Sequence, residues 1–84
     1  MAYQVILKKS ALKELQSLPK QTQLLISGVI QQLSIDPHPP ASRKLVDSLD
    51  YRIRVGDYRI IYAIHNDILT INVIRIGHRR EVYR

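Results

Sequence analysis

The 84-residue chain contains no cysteine. Disulfide staples and thiolate chemistry are therefore excluded, and a reducing compartment is permitted. It has no apolar run approaching the roughly 18 residues of a membrane span. Its opening, MAYQVILKKS, has a short apolar stretch followed by lysines, the reverse of a secretory leader's order. These features predict a soluble, cytoplasmic protein. No His, Asp or Glu grouping has metal-ligand spacing, and no Gly-rich phosphate loop is present. Glu14 and Glu81 do not form a spaced carboxylate pair. Metal-dependent cleavage and nucleotide-triphosphate chemistry are thus disfavoured. Repeats and low-complexity tracts are also lacking, so residues 1–84 read as one domain with a shared core.

Acidic residues are scarce. Seven Asp and Glu face 13 Lys and Arg, for a formal charge of +6. On so small a surface this favours anionic partners, nucleic acid among them. Seven of the eight arginines lie from Arg52 onward, so the field is concentrated in the second half.

Hydrophobic periodicity supplies the architecture. Residues 2–8 alternate as a short strand. Ser10 is positioned to cap a helix carrying Ala11, Leu12, Leu15 and Leu18 on one stripe, ended by Pro19. A second helix is expected from about Lys20 to Ser34, with Leu25, Ile26, Val29, Ile30 and Leu33 as its apolar stripe. Asp36-Pro37-His38-Pro39-Pro40 cannot continue a helix, and residues 36–48 read as a stiff exposed connection. From Leu49 the period becomes two. Gly56-Asp57 and Asn66-Asp67 read as two-residue hairpin turns. A polar tail follows Gly77. The expected fold is α+β, in the order β-α-α-β-β-β, with two helices on one face of a mostly antiparallel sheet.

Turn register then sorts the side chains. A two-residue loop at Gly56-Asp57 sets Val55 opposite Tyr58, Arg54 opposite Arg59, Ile53 opposite Ile60 and Arg52 opposite Ile61. Tyr51, Ile53, Val55, Tyr58, Ile60 and Tyr62 share one face; Arg52, Arg54 and Arg59 share the other. The Asn66-Asp67 turn pairs His65 with Ile68, Tyr62 with Ile71 and Ile60 with Val73. The second face then continues towards His78. Arg75 falls coreward in this register, which a nearby bulge or an edge position would resolve. Like charges directly opposite on a sheet cost about 0.2–1 kcal/mol. Such a broken local rule often marks function, and guanidinium groups bind phosphate oxygens bidentately. The alternative is an ordinary solvated face.

The stretch Tyr51-Arg-Ile-Arg-Val-Gly-Asp-Tyr-Arg-Ile-Ile-Tyr62, with Gly77-His-Arg-Arg-Glu-Val-Tyr83, resembles the RelE/ParE toxin superfamily, and within it the RelE branch of messenger-RNA interferases. The likeness extends to the opening strand, the Ala11–Leu15 helix and the segment around Leu45. It implies a toxin of a type II toxin–antitoxin system. Such a toxin enters the ribosomal A site and cuts messenger RNA without metal or other cofactor, through attack of a 2′-hydroxyl on the adjacent phosphate. It implies a RelB-like antitoxin as partner, in a hetero-oligomer, and no membrane association.

Residue by residue, the resemblance makes Arg59 the arginine that stabilises the pentacovalent phosphate. Arg79 becomes the one that charges or protonates the leaving oxygen, and Tyr83 the tyrosine that orients or stacks on the nucleotide; apart from the resemblance, Tyr83 reads equally as an anchor of the tail on the sheet. Arg52 and Arg54 stand where family members carry lysines. Arginine does not give up its proton, so these two read as electrostatic clamps and the proton acceptor is left open. His78, whose ordinary pKa is near 6.5, is one candidate for it and otherwise a solvated loop residue. Arg80, Lys8, Lys9, Lys13, Arg43 and Lys44 are candidate RNA-backbone contacts or plain surface charges. His38 and His65 read as bystanders. Two competing readings are a ParE-like inhibitor of DNA gyrase and a non-catalytic module that binds RNA or antitoxin.

Overall fold

The computed structural model describes residues 2–46 and 48–78. The chain opens with a strand, Gln4–Leu7 (β1), and two helices, Lys9–Gln16 (α1) and Lys20–Ile35 (α2). Four strands follow: Ser42–Lys44 (β2), Tyr51–Val55 (β3), Tyr58–His65 (β4) and Thr70–His78 (β5). The α+β class and the helices are as the periodicity implies. The element order gains one strand: part of the expected connection at 36–48 is β2, a short edge strand antiparallel to β3. Leu45 N–H donates to the Asp50 carbonyl at 2.9 Å, which closes the β2–β3 hairpin.

The sheet order is β1-β5-β4-β3-β2, with β1 parallel to β5 and every other pair antiparallel. Ala11 and Leu15 from α1 and Ile26, Ile30 and Leu33 from α2 join Ile53, Val55, Ile60, Tyr62, Ile71, Val73 and Ile76 in one buried cluster. Both helices therefore cover the same sheet face. Tyr62 is completely buried and donates its hydroxyl proton to the Pro37 carbonyl at 2.8 Å, tying the Pro-rich segment to the sheet.

Three local expectations are corrected. Ser10 lies inside α1; Lys8, in an extended conformation, is the N-cap, without a side-chain cap. Leu12 and Leu25 are exposed, the latter at 58%. The helical stripe is narrower than the run of apolar residues suggests, because α2 meets the sheet through Ile26, Ile30 and Leu33.

The first hairpin has the expected register throughout, from Val55↔Tyr58 to Tyr51↔Tyr62. Gly56, with φ +60°, supplies the left-handed conformation its turn demands. The second hairpin differs. His65 pairs with Thr70, so the turn spans four residues, 66–69, and the register slips by two. Leu69 takes the left-handed conformation (φ 46°), and the Thr70 hydroxyl donates to the Ile68 carbonyl at 3.0 Å. An even slip preserves faces, so Ile71 and Val73 remain in the core. A bulge then intervenes: Tyr62 pairs with Val73 but Ile61 with Arg75, leaving Ile74 as the extra residue.

The bulge resolves Arg75, as anticipated. Its guanidinium meets Glu14 of α1 at 3.2 Å, and the same carboxylate accepts the Ile76 N–H at 3.0 Å. Glu14 thus satisfies the edge of β5 beyond Val73, where pairing with β1 has ended.

Candidate functional site

The face of the sheet opposite the helices carries the arginines. Arg54 and Arg59 are directly opposite across β3 and β4. Sequence reasoning did not foresee that β2 adds a second such pair, Arg43 opposite Arg52. Directly opposed residues have Cβ atoms about 4.5–5.5 Å apart, and neighbours two along a strand are about 7 Å apart. Four guanidinium stems therefore rise from three adjacent strands within a patch sized for a few phosphate groups.

Their orientations divide the work. Arg52 and Arg59 are half-buried and line a cleft of about 580 Å³ together with Lys44, Leu45, Val46 and Ser48. The Arg54 Nε donates to the Gly56 carbonyl at 3.1 Å, holding its guanidinium by the turn at the rim. Arg43 folds back to the carbonyls of Pro40 and Ser42, each at 2.9 Å. The cleft centre is thus Arg52 and Arg59, flanked by two more cations.

Opposite Arg59 on the β5 side stands Gly77. A glycine inside a strand commonly marks close approach of a ligand or another backbone. Here it leaves Arg59 without a side chain directly opposite it on β5. The bulge at Ile74 is what brings Gly77 to this position.

The same bulge moves His78 away. His78 pairs with Tyr58, and the two rings meet edge-on with centroids 5.9 Å apart. Tyr58 packs against the core cluster, so His78 stands on the helix side of the sheet and not on the arginine face. The expected continuation of that face to His78 is corrected: one extra residue in β5 inverts the alternation beyond it.

Lys8, Lys9 and Lys13 are exposed at the end of β1 and on α1. Lys9 and Lys13 belong to α1, which covers the opposite face of the sheet, and Lys8 follows the edge strand β1, so none of the three lines the cleft. His38 leans edge-on against Tyr51 at 5.0 Å, and Tyr51 stacks on Tyr62 at 6.0 Å. Burial raises the Tyr62 phenol above its ordinary pKa, and the Ser42 hydroxyl partly opposes this. Arg79, Arg80 and Tyr83 lie outside the described residues. No group of His, Cys, Asp and Glu that could hold a metal occurs among the described residues.

The cleft wall Leu45, Val46 and Ser48 escaped sequence reasoning. A signal was available: Asp50 with Ser48 is turn chemistry, and the Ser48 Oγ does accept the Asp50 N–H at 3.0 Å.

Residues 5–83 match the family model described as ParE toxin of the type II toxin–antitoxin system parDE. This chain belongs to the RelE/ParE toxin family. A RelE-like toxin protein of Escherichia coli is 31% identical over 83 residues, covering 96% of this chain and 87% of the relative. Among solved structures, the archaeal RelE–RelB complex from Pyrococcus horikoshii OT3 superposes with a TM-score of 0.85 at 31% identity, covering 96% of this chain and 99% of that one. The isolated E. coli RelE toxin superposes at 0.82 with 26% identity, over 98% of this chain and 92% of that chain. No helix among the described residues is long and apolar enough to cross a membrane.

Proposed function

We propose that this RelE/ParE-family toxin is a ribosome-dependent, metal-independent endoribonuclease that cuts messenger RNA and is neutralised by a RelB-like antitoxin. The observation that carries the reading is the pairing of like charges: Arg54 against Arg59 and Arg43 against Arg52 on one open face, around a cleft centred on Arg52 and Arg59. A phosphodiester placed there relieves the repulsion and receives donors preorganised for its charge.

In this mechanism the 2′-hydroxyl of the messenger attacks the adjacent phosphorus as its proton passes to solvent water, and water returns a proton to the departing 5′-oxygen. The pentacovalent phosphorane carries an added negative charge, which Arg59 and Arg52 neutralise. The 5′-oxygen leaves, giving a 2′,3′-cyclic phosphate on one fragment and a 5′-hydroxyl on the other. Arg79 serves the leaving oxygen and Tyr83 orients the nucleotide. Arg54, Arg43, Lys44 and Arg80 hold flanking phosphates. His78 has no part in it, being on the other face beside Tyr58.

Charge and alignment provide most of the acceleration. Ideal positioning removes about 7–11 kcal/mol of barrier, and each donor aimed at developing charge contributes about 3–4 kcal/mol. The ribosome supplies the alignment, which is why cutting is expected to be weak on free RNA. Ribosomes also make the cytoplasm the site of action. The antitoxin partner is supported by solved relatives that are RelE–RelB complexes, such as that from P. horikoshii.

The test is to add the purified protein to a translation reaction and map messenger ends. Codon-phased cuts ending in cyclic phosphate are expected, and Arg59→Ala slows them about a hundredfold. Because the matching family model is described for ParE, gyrase inhibition is the second reading. Intact messenger with DNA breaks and stalled gyrase would establish that instead.

A further inference from the structure

The cleft has two chemically different halves. Arg52 and Arg59 supply cations, while Leu45 and Val46 supply aliphatic surface. Val46 is 88% exposed and Leu49, on the same connection, is 82% exposed. Scattered exposed apolar residues need no explanation. Val46, lining the same cleft as two half-buried arginines, is a different arrangement. An inorganic anion would use only the cationic half. The volume of about 580 Å³ lies in the range of a small-molecule site and exceeds what a phosphate group alone requires.

We propose that Leu45 and Val46, which follow β2, form a base-binding wall: the nucleobase next to the phosphate held by Arg52 and Arg59 lies against these two side chains. This rests on the arginine face being the RNA site, and adds how the nucleotide itself is selected. The occupant is a nucleotide of single-stranded RNA. A base paired in a helix has both faces stacked and cannot present one to an aliphatic surface, whereas an unstacked base can. Charge complementarity fixes the phosphate end, because Arg52 and Arg59 come from adjacent strands and their forks suit phosphate oxygens.

The wall also implies a mode of selection. Among the described lining residues, Ser48 is the only neutral hydrogen-bonding side chain. The aliphatic surface of Leu45 and Val46 responds to the size and stacking face of the base. Purines, with the larger face, gain more from it than pyrimidines.

The hairpin's own bonds make the wall separable from the fold. Leu45 N–H to the Asp50 carbonyl and Asp50 N–H to the Ser48 hydroxyl hold the connection without using the Val46 side chain. Val46→Ser thus removes wall surface at an exposed position.

The experiment measures binding of labelled short single-stranded RNAs by fluorescence anisotropy, comparing intact trinucleotides with ones abasic at the central position. The parent should bind purine-centred RNA best and the abasic RNA worst. Val46→Ser should lose about five- to tenfold on the intact RNA, as loss of one apolar contact in a binding pocket does. On the abasic RNA it should match the parent. Arg59→Ala should lose on both. Equal loss on intact and abasic RNA, or no loss on either, in Val46→Ser overturns the wall while leaving the arginine reading in place. Unchanged binding in Arg59→Ala overturns the arginine reading and the wall with it. If Val46→Ser instead weakens only the complex with the antitoxin, the connection is a protein-docking surface and the base-wall assignment is wrong.

Discussion

The two hairpins of this sheet follow different rules. β3–β4 closes through a two-residue turn at Gly56-Asp57 and runs in perfect register for five pairs. β4–β5 closes through a four-residue turn and contains a bulge at Ile74. The first hairpin is a local object: one glycine with positive φ and strict alternation determine it. The second is a negotiated object, since β5 must also pair with β1 and receive the Glu14 carboxylate from α1. The site inherits both. Arg54 and Arg59 are opposed by the local hairpin, whereas Gly77 beside Arg59 and His78 on the far face are products of the bulge.

The largest effect that would break this contrast comes from the negotiated side. Glu14→Ala removes the acceptor for the Ile76 N–H and the partner of Arg75, and should destabilise the protein by about 1–3 kcal/mol. Denaturant unfolding measures this, and hydrogen exchange should show lost protection at Ile76 with little change in β3. Equal loss of protection in both hairpins would mean that they are not independent.

Next comes the local side. Gly56→Val forces a β-branched residue to φ near +60° and should cost about 1–2 kcal/mol. It should also impair RNA binding, because the Arg54↔Arg59 pairing depends on this turn. A stable variant with unchanged RNA affinity would remove the turn from the account.

Tyr62→Phe tests the strand shared by both hairpins. It deletes the bond to the Pro37 carbonyl, at about 1 kcal/mol. The phenol's folded pKa is raised by burial, so its contribution is fully present below the unfolded value near 10 and is lost as pH rises through and beyond that value. The parent should therefore lose stability in the alkaline range in unfolding measurements, and Tyr62→Phe should lose less. Parallel alkaline profiles would contradict this.

The smallest effect has the opposite sign. Arg54→Thr relieves a like-charge pair and should stabilise the fold by about 0.2–1 kcal/mol while weakening RNA binding. Thermal unfolding and anisotropy together check it. A loss of stability would show that Arg54 is held for the fold, through its bond to the Gly56 carbonyl.

Legibility in the sequence followed the same division. The arginine face was readable because Arg52, Arg54 and Arg59 alternate with Ile53, Val55 and Ile60 around a turn whose type is declared by Gly56. The pairing of Arg43 with Arg52 was not readable: β2 is three residues long, preceded by prolines, and acquires strand geometry only by adding to β3. Leu25 was misassigned to the core for a related reason. A helix with apolar residues over much of its circumference does not declare which of them meets the sheet.

Period and turn chemistry act over a few neighbouring residues, and they were enough for the α+β class, the two helices and the faces of β3 and β4 in this RelE/ParE-family chain. Tertiary structure alone decided the extra edge strand with its cleft wall, the slipped second hairpin and the side on which His78 stands. The physical reason lies in parity. A slip by two leaves every side chain on its face, but the one extra residue at Ile74 inverts all that follows, and its location answers to β1 and α1, which are distant in the chain.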